Sequence, residues 1–391
     1  MEQIKIMVLS KRKIKKVFLI FSTTTIGFYL LISLYFINHF PFHTELNGMD
    51  ISLKSHDKLS NLLVQFIQDY KLQLFERNGV IEIITCQDIG MQYNKNITVS
   101  QIISKQNPFL WINSLFKRKK YSVNNLYNYN KTMLDKKINR LKCMSGSIIV
   151  PQNVSFQYSN ESYEIIKEIY GNKINPENFM EAIHLHIVTG KTKLNLDSND
   201  CYMNPTYKEN SEKTVSTRNL LNKYLSAKIT YQFGNATQEV DRTIIHQWLS
   251  VDENLDVIIN RELIADYIAA LSEQYNTVGI LREFNTSNGK KVELKDGIYG
   301  WKIDNDAEID ALLNNIKNAD IVEKEPVYLQ RAFSREGNEI GNTYIEINIT
   351  TQHLWFYKDG KLITQGAIVT GNPNRNNATV IGAYMVNYKQ K

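Results

Sequence analysis

From Val17 to Ile37 the chain reads VFLIFSTTTIGFYLLISLYFI, an apolar run with no charged side chain. At 1.5 Å per residue a helix of this length spans the ~30 Å hydrocarbon core of a bilayer. Its Ser and Thr can bond back to carbonyls of their own helix. Beyond residue 40 the apolar positions fall into short runs with periods that switch between strand and helix. Leu72–Gln106 (LQLFERNGVIEIITCQDIGMQYNKNITVSQIISKQ) and Arg282–Ile316 (REFNTSNGKKVELKDGIYGWKIDNDAEIDALLNNI) align without gaps at an offset of 210 positions. Asn78-Gly79 falls on Asn288-Gly289, a signal for a tight hairpin turn in which both residues take positive φ. Gly90 falls on Gly300, and Val99, Ile102 and Ile103 fall on Ile309, Leu312 and Leu313 at helical spacing. The pattern predicts one strand–turn–strand–helix module used twice.

Between the copies, Asn175-Pro176-Glu177 supplies a capping Asn and a Pro at the first helical position. That helix is expected to run to about Val188, stop at Gly190 and feed a strand over Thr192–Leu196. A second helix, from Arg261 to about Ser272, follows the alternating run Leu255–Ile259. The last stretch, Val369–Lys391, has a turn-rich loop and then alternating Tyr384, Val386 and Tyr388. A lone hairpin buries too little surface to hold itself together, so this reads as the opening of a larger sheet.

With 391 residues, 43% hydrophobic and 11% aromatic, the chain has the composition of folded protein. The expected fold class is α+β: an N-terminal transmembrane helix, two repeated α+β modules in series, and an incomplete C-terminal all-β domain. The expected segments are a basic tail 1–16, the transmembrane helix 17–37, a first module 40–141, a middle α+β segment 142–224, a second module 225–325, and a C-terminal part 343–391.

The formal charge of +6 is concentrated at one end, since residues 1–16 hold six Lys and Arg against Glu2 alone. The rest of the chain is nearly neutral, which argues against a phosphate-neutralising groove and so against nucleic acid as a partner. The basic cluster before the apolar run, with no Lys or Arg after it until Lys54, orients residues 1–16 to the cytoplasm and the bulk outside. A cleaved signal peptide is the competing reading; it calls for a shorter apolar region and a small-residue cleavage site, and NHFPFHTELNG offers no A-x-A pattern. Lys117–Lys120 (KRKK) reads as a solvated loop, with contact to anionic wall polymers as the alternative.

Candidate chemistry is sparse. Cys86 lies in a strand-like run, while Cys143 and Cys201 flank turn signals and are the candidate disulfide pair. None has a neighbouring His or oxyanion turn. His184-x-His186 falls in the expected helix, where that spacing separates the rings. The sequence has no CxxC, HExxH, GxSxG or Walker loop. Asp304 and Asp306 read as helix-start residues. No metal and no cofactor is expected.

One stretch changes this picture. TYIEINITTQHLWFYKDGKLITQGAIVTGNPNRNNATVIGAYMVNYKQK, with Gln352-His353-Leu354-Trp355, Lys358-Asp359-Gly360, Val369-Thr370-Gly371 and Thr379-x-x-Gly382-x-Tyr384, resembles the opening of a YkuD-like L,D-transpeptidase catalytic domain. Val380 stands where many members carry Pro. The upstream region is similar to the peptidoglycan-binding domains that precede such catalytic domains, which also occur in VanW-like proteins. Its marks are Gly297-Ile298-Tyr299-Gly300-Trp301, Arg282–Thr286, Ile229-Thr230-Tyr231 and Cys201-Tyr202.

The resemblance implies a cell-wall protein, anchored in the membrane, with peptidoglycan stem peptides or glycan as partner. It implies cross-linking through a Cys thioester in the complete family, but the Ser-His-Gly-Cys turn is not in this sequence, so the chain is expected to be inactive alone. The expected reason is that the sequence stops partway through the catalytic domain. A non-catalytic wall-binding protein is the alternative, and it predicts that residues 343–391 pack onto the preceding module. Tyr231, Tyr299 and Trp301 are the candidate contact aromatics in a groove between the copies, with core packing as the competing reading.

Overall fold

The computed structural model describes residues 2–94, 106–386 and 388. A long helix, Glu2–Tyr35, leads into two compact units: Met1–Gln152 with Ile169–Thr206, and Asn153–Glu168 with Tyr207–Lys391.

The chain runs twice through the same succession of elements. A helix, His56–Asp69 in the first and Glu212–Leu225 in the second, precedes an antiparallel hairpin. The hairpins are Lys71–Phe75 with Ile81–Thr85, and Lys228–Phe233 with Ala236–Val240. A short helix follows (Cys86–Ile89; Arg242–Trp248), then a small antiparallel pair (Gln92–Tyr93 with Tyr127–Asn128; Leu249–Val251 with Val257–Ile259). Next come a helix (Lys131–Ile138; Arg261–Tyr275), a long hairpin (Ser155–Ser159 with Ser162–Ile166; Arg282–Asn285 with Lys291–Leu294) and a last helix (Pro176–Thr189; Asn305–Asn318). A final strand, Lys193–Asn195 or Ile321–Lys324, returns parallel to the first hairpin strand and completes a three-stranded sheet.

Alternation dictates the packing. Leu72 and Leu74, and likewise Ile229, Tyr231 and Phe233, turn inward from their strands and meet the apolar faces of the helices. Asn175 caps the helix Pro176–Thr189 by accepting from the Glu177 and Asn178 amides, and Gly190, at φ 72°, ends it. Asn260 and Asp304 cap their helices in the same way, which gives Asp304 and Asp306 the helix-start places expected of them.

The repeat is real, but its register is not the offset of 210. Equivalent elements stand about 156 positions apart at the start (His56 against Glu212) and about 129 at the end (Pro176 against Asn305). The difference lies in the connection after Tyr93, which reaches Tyr127 in the first module, whereas the second passes directly from Val251 to Val257. The 210 alignment paired a sheet hairpin with an arm hairpin because both use the same turn. Phe75 faces Ile81 as Asn285 faces Lys291, and Gly79 (φ 82°) and Gly289 (φ 72°) take the left-handed place. Asn78 and Asn288 keep negative φ, so the loop has three residues with Gly last, not the two-residue primed turn. Val99, Ile102 and Ile103 lie outside the described residues.

Residues 142–224 are divided between the units. The helix Pro176–Thr189 and strand Lys193–Asn195 complete the first, the helix Glu212–Leu225 opens the second, and the hairpin 155–166 belongs to the second. After the second module, Tyr344–Asn348, His353–Lys358 and Lys361–Ala367 form an antiparallel three-stranded meander.

Candidate functional site

Tyr231 has no exposed surface, and its hydroxyl donates to the Glu308 carboxylate at 2.5 Å. Burial, and then the Glu308 charge, push its phenol far above the usual tyrosine range. Glu308, also fully buried, further accepts the Val327 amide (2.6 Å) and the Lys324 ammonium (2.8 Å). Trp301 is 6% exposed; its indole N–H donates to the Ser334 carbonyl at 3.2 Å and its ring lies 4.7 Å from the Arg335 guanidinium. Half-buried Tyr299 donates to the Glu339 carbonyl (2.8 Å) and accepts the Phe333 amide (3.0 Å). The structure therefore gives all three aromatics roles in holding the second module together. Tyr231 offers a ligand no surface, and Trp301 almost none.

A groove of about 380 Å³ opens instead on the first unit. Half-buried Phe66 lines it, stacked on the buried Tyr127 ring (5.7 Å between centroids), with Leu126 also buried behind it and Gly190 beside them. The exposed side chains of Lys191 and Lys193 stand at its rim. A Cβ on Gly190 would lie 2.5 Å from Tyr127 Cε2, so only glycine lets the helix end close against this ring. Tyr127 is 1% exposed and its hydroxyl has no partner among the described residues. An apolar lining with cationic rims suits a ligand that carries both an aliphatic body and carboxylates. The one sequence signal for the groove is Gly190, which marks a helix end and not a ligand.

All three cysteines are free and buried, so the expected Cys143–Cys201 link is not formed. The Cys201 thiol donates to the Asn199 carbonyl at 3.5 Å, and the Cys86 thiol to that of Gln68 at 3.7 Å. Burial and the neighbouring Glu82 and Glu76 push Cys143 up to about 12, and burial pushes Cys201 to about 11. At neutral pH fewer than about one Cys143 in 10⁴ is a thiolate, which rules it out as a resting nucleophile. Ligand atoms of Glu76, Glu82 and Cys143 lie within 4.8 Å of one another. However, the Glu82 carboxylate already accepts the Lys142 and Cys143 amides (2.8 and 3.2 Å), and a metal would have to displace the thiol proton. Glu82 acts as the cap of the helix Lys142–Ser145.

The second module meets the C-terminal sheet through its arm. Ser287, in the turn of the hairpin Arg282–Leu294, donates its amide (2.9 Å) and hydroxyl (2.6 Å) to Glu346, which is 8% exposed. The Ser287 hydroxyl also meets that of Tyr357 at 2.8 Å, and Phe284 packs edge-on against Tyr344. The arm's root is pinned by Arg282, whose Nε donates to Glu339 at 2.8 Å. Ala383 bridges to Gly297, and a Cβ on Gly382 (φ 145°) would meet the Asp296 carbonyl at 2.4 Å. Residues 344–383 thus pack onto the preceding module. The first module's arm is held similarly: Asn222 accepts the Tyr163 amide and donates to its carbonyl (2.7 and 3.1 Å), and Tyr163 donates to the His246 carbonyl.

Comparison with known proteins agrees with this organisation. A peptidoglycan binding domain family matches residues 83–195 and again 211–321, together more than half of the chain, and the L,D-transpeptidase catalytic domain family matches residues 342–391. The two matched segments end 126 positions apart, at Asn195 and Ile321, within the equivalent last strands of the two modules. Among solved structures, an Enterococcus faecium L,D-transpeptidase with a Cys-to-Ser substitution is 29% identical over 42% of this chain and 64% of its own, with a TM-score of 0.31. The Ldtfm–avibactam carbamoyl enzyme is 29% identical over 42% of this chain and 62% of its own, also with a TM-score of 0.31. The chain thus spans less than two thirds of the length of these structures. No curated protein matches it. The chain belongs to the family in which tandem peptidoglycan-binding domains precede an L,D-transpeptidase catalytic domain.

Proposed function

We propose that this chain is the membrane-anchored, wall-holding part of a peptidoglycan L,D-transpeptidase, with the bulk of it outside the cell membrane. The observation that carries the reading is the match of residues 342–391 to the L,D-transpeptidase catalytic domain family, behind two peptidoglycan-binding domains. The lock between Ser287 and Glu346, which joins that sheet to the second module, is also what a non-catalytic wall-binding protein predicts. The helix segment Lys13–Tyr35, whose most apolar 18-residue stretch has a mean hydropathy of 2.0 and is 6% buried, is long enough to anchor the whole.

The groove beside Phe66 fits a stem peptide: an aliphatic side chain against Phe66, carboxylates toward Lys191 and Lys193. In cysteine acyl transfer a thiolate attacks the stem carbonyl, backbone amides hold the oxyanion, and a second amine resolves the thioester. The sequence contains no Ser-His-Gly-Cys turn, and its three thiols are buried. Residues 1–391 are therefore expected not to cross-link by themselves.

Two experiments test this. The full chain is expected to stay in membranes through alkaline carbonate extraction, and its release would contradict the anchor. Incubated with stem tetrapeptides, it is expected to form no dimer; a dimer that survives replacement of all three cysteines would contradict the account of the chemistry.

A further inference from the structure

We propose that residues 107–120 form a second membrane contact, an interfacial foot seated in the outer leaflet against anionic lipid headgroups. This rests on reading Lys13–Tyr35 as membrane-crossing. The foot lies in the connection between Tyr93 and Tyr127, which the second module replaces by a passage from Val251 to Val257. Only the module joined to the apolar helix has it.

The short helical turns Pro108–Leu110 and Asn113–Phe116 expose Phe109 (50%), Leu110 (56%), Ile112 (44%), Leu115 (41%) and Phe116 (83%). Five large apolar side chains in eight positions make a patch of the kind that marks an interaction site. Their position identifies the partner. Tyr29 donates its hydroxyl to the Phe109 carbonyl at 2.6 Å, and the Trp111 ring lies 6.1 Å from both Tyr29 and Phe36. A side chain touching both is level with the turn between them, roughly 7 Å inside the end of the apolar run at Ile37. Interfacial segments sit at about that depth, 5–10 Å. The crossing helix and the foot therefore share one solvent.

Part of the backbone is closed within the segment itself, as that solvent favours. The Leu110, Ser114, Leu115 and Lys117 amides donate to the carbonyls of Asn107, Trp111, Ile112 and Asn113, and the Phe109 amide to the Asn107 side chain. Charge completes the match. Lys117–Lys120 follow the apolar turns directly; Arg118 pairs with Glu45 and Lys119 lies over the Tyr121 ring, whereas Lys117 and Lys120 have no acidic partner among the described residues. Two such ammonium groups beside an apolar wedge suit phosphatidylglycerol-like headgroups.

The test uses the full chain in vesicles of phosphatidylglycerol and phosphatidylethanolamine, with a nitroxide on Phe116→Cys or, as reference, on Leu31→Cys. The native thiols are buried and do not compete for the label. Both positions are expected to collide with dissolved oxygen and to be shielded from an aqueous nickel chelate. Lys117→Glu combined with Lys120→Glu is expected to raise chelate access at position 116 several-fold. Shielding at 31 with open access at 116 would overturn the foot while leaving the anchor intact. Open access at both would overturn the anchor and the foot with it. A label at 116 that faces water and is immobilised by added sacculi would assign the patch to wall polymer and overturn the proposal. Unchanged depth in the doubly substituted chain would overturn the role of the headgroups.

Discussion

Glu308 shows how one side chain can organise a module. It has no exposed surface, yet a phenol, an amide and an ammonium converge on it. Removing the carboxylate strands all three donors, so Glu308→Ala is expected to cost about 3–5 kcal/mol. Tyr231→Phe deletes one charged hydrogen bond and is expected to cost about 1.5–3 kcal/mol. Denaturant titrations check the order, and equal losses would contradict the picture of a shared hub. Glu76 gives a pH signature. Burial first, then Glu82, raise its carboxyl from an ordinary 4.5 to about 7. The folded state keeps that proton to higher pH than the unfolded chain does, so unfolding releases it between those values. This contribution to stability falls as pH rises through that window and is flat above it. Glu76→Gln is expected to flatten the slope between pH 4.5 and about 7 in urea midpoints; an unchanged slope would assign it to other groups. At this scale the sequence was a poor guide, because an aromatic on an alternating strand looks the same whether it faces ligand or core. Burial beside Glu308 makes Tyr231 a core member, and Trp301, which as a strand aromatic was already the more expected core residue, packs against Arg335. The groove residues Tyr127 and Lys191 come from distant segments and share no local motif.

At the scale of elements the hairpin arms matter most. Each arm presents a backbone or turn polar group to one side chain of the body that receives it: Tyr163 to Asn222, Ser287 to Glu346. Asn222→Ala is expected to speed amide exchange over residues 155–166 while leaving the Lys228–Val240 hairpin protected, since only the docking bonds are lost. Uniform acceleration over both would show that the arm is no separate element. Glu346→Ala strands the Ser287 amide and hydroxyl, and proteolysis within residues 282–294 is expected to become faster. The apolar N-terminal helix, the helices beginning at Pro176, Arg261 and Asn305 and both Asn-Gly hairpins were legible from caps, periodicity and turns, since those signals act within a few residues; His56–Asp69, Lys131–Ile138, Glu212–Leu225 and Arg242–Trp248 were not read. The helix Pro176–Thr189 and its stop at Gly190 are the clearest case. The period of the repeat was not legible. Two hairpins with the same three-residue turn aligned better with each other than with their structural counterparts, and a long insertion in the first module hid the true spacing.

At the scale of the molecule, the fold class and series of modules followed from the apolar run, the alternating segments and the strands Tyr344–Ala367. The division of residues 142–224 between two units did not follow, because parallel pairing of Lys193–Asn195 with Lys71–Phe75 joins segments far apart in sequence. The account's central claim is that the modules hold peptidoglycan through the cationic, aromatic-lined groove. Co-sedimentation of the detergent-solubilised full chain with purified sacculi tests it, alongside the chain carrying Lys191→Glu and Lys193→Glu. The account predicts that the full chain pellets with sacculi and that the double substitution weakens retention by about tenfold or more, the loss of roughly one charged contact. A full chain that stays in the supernatant would contradict wall binding itself, and undiminished retention of the substituted chain would contradict the groove.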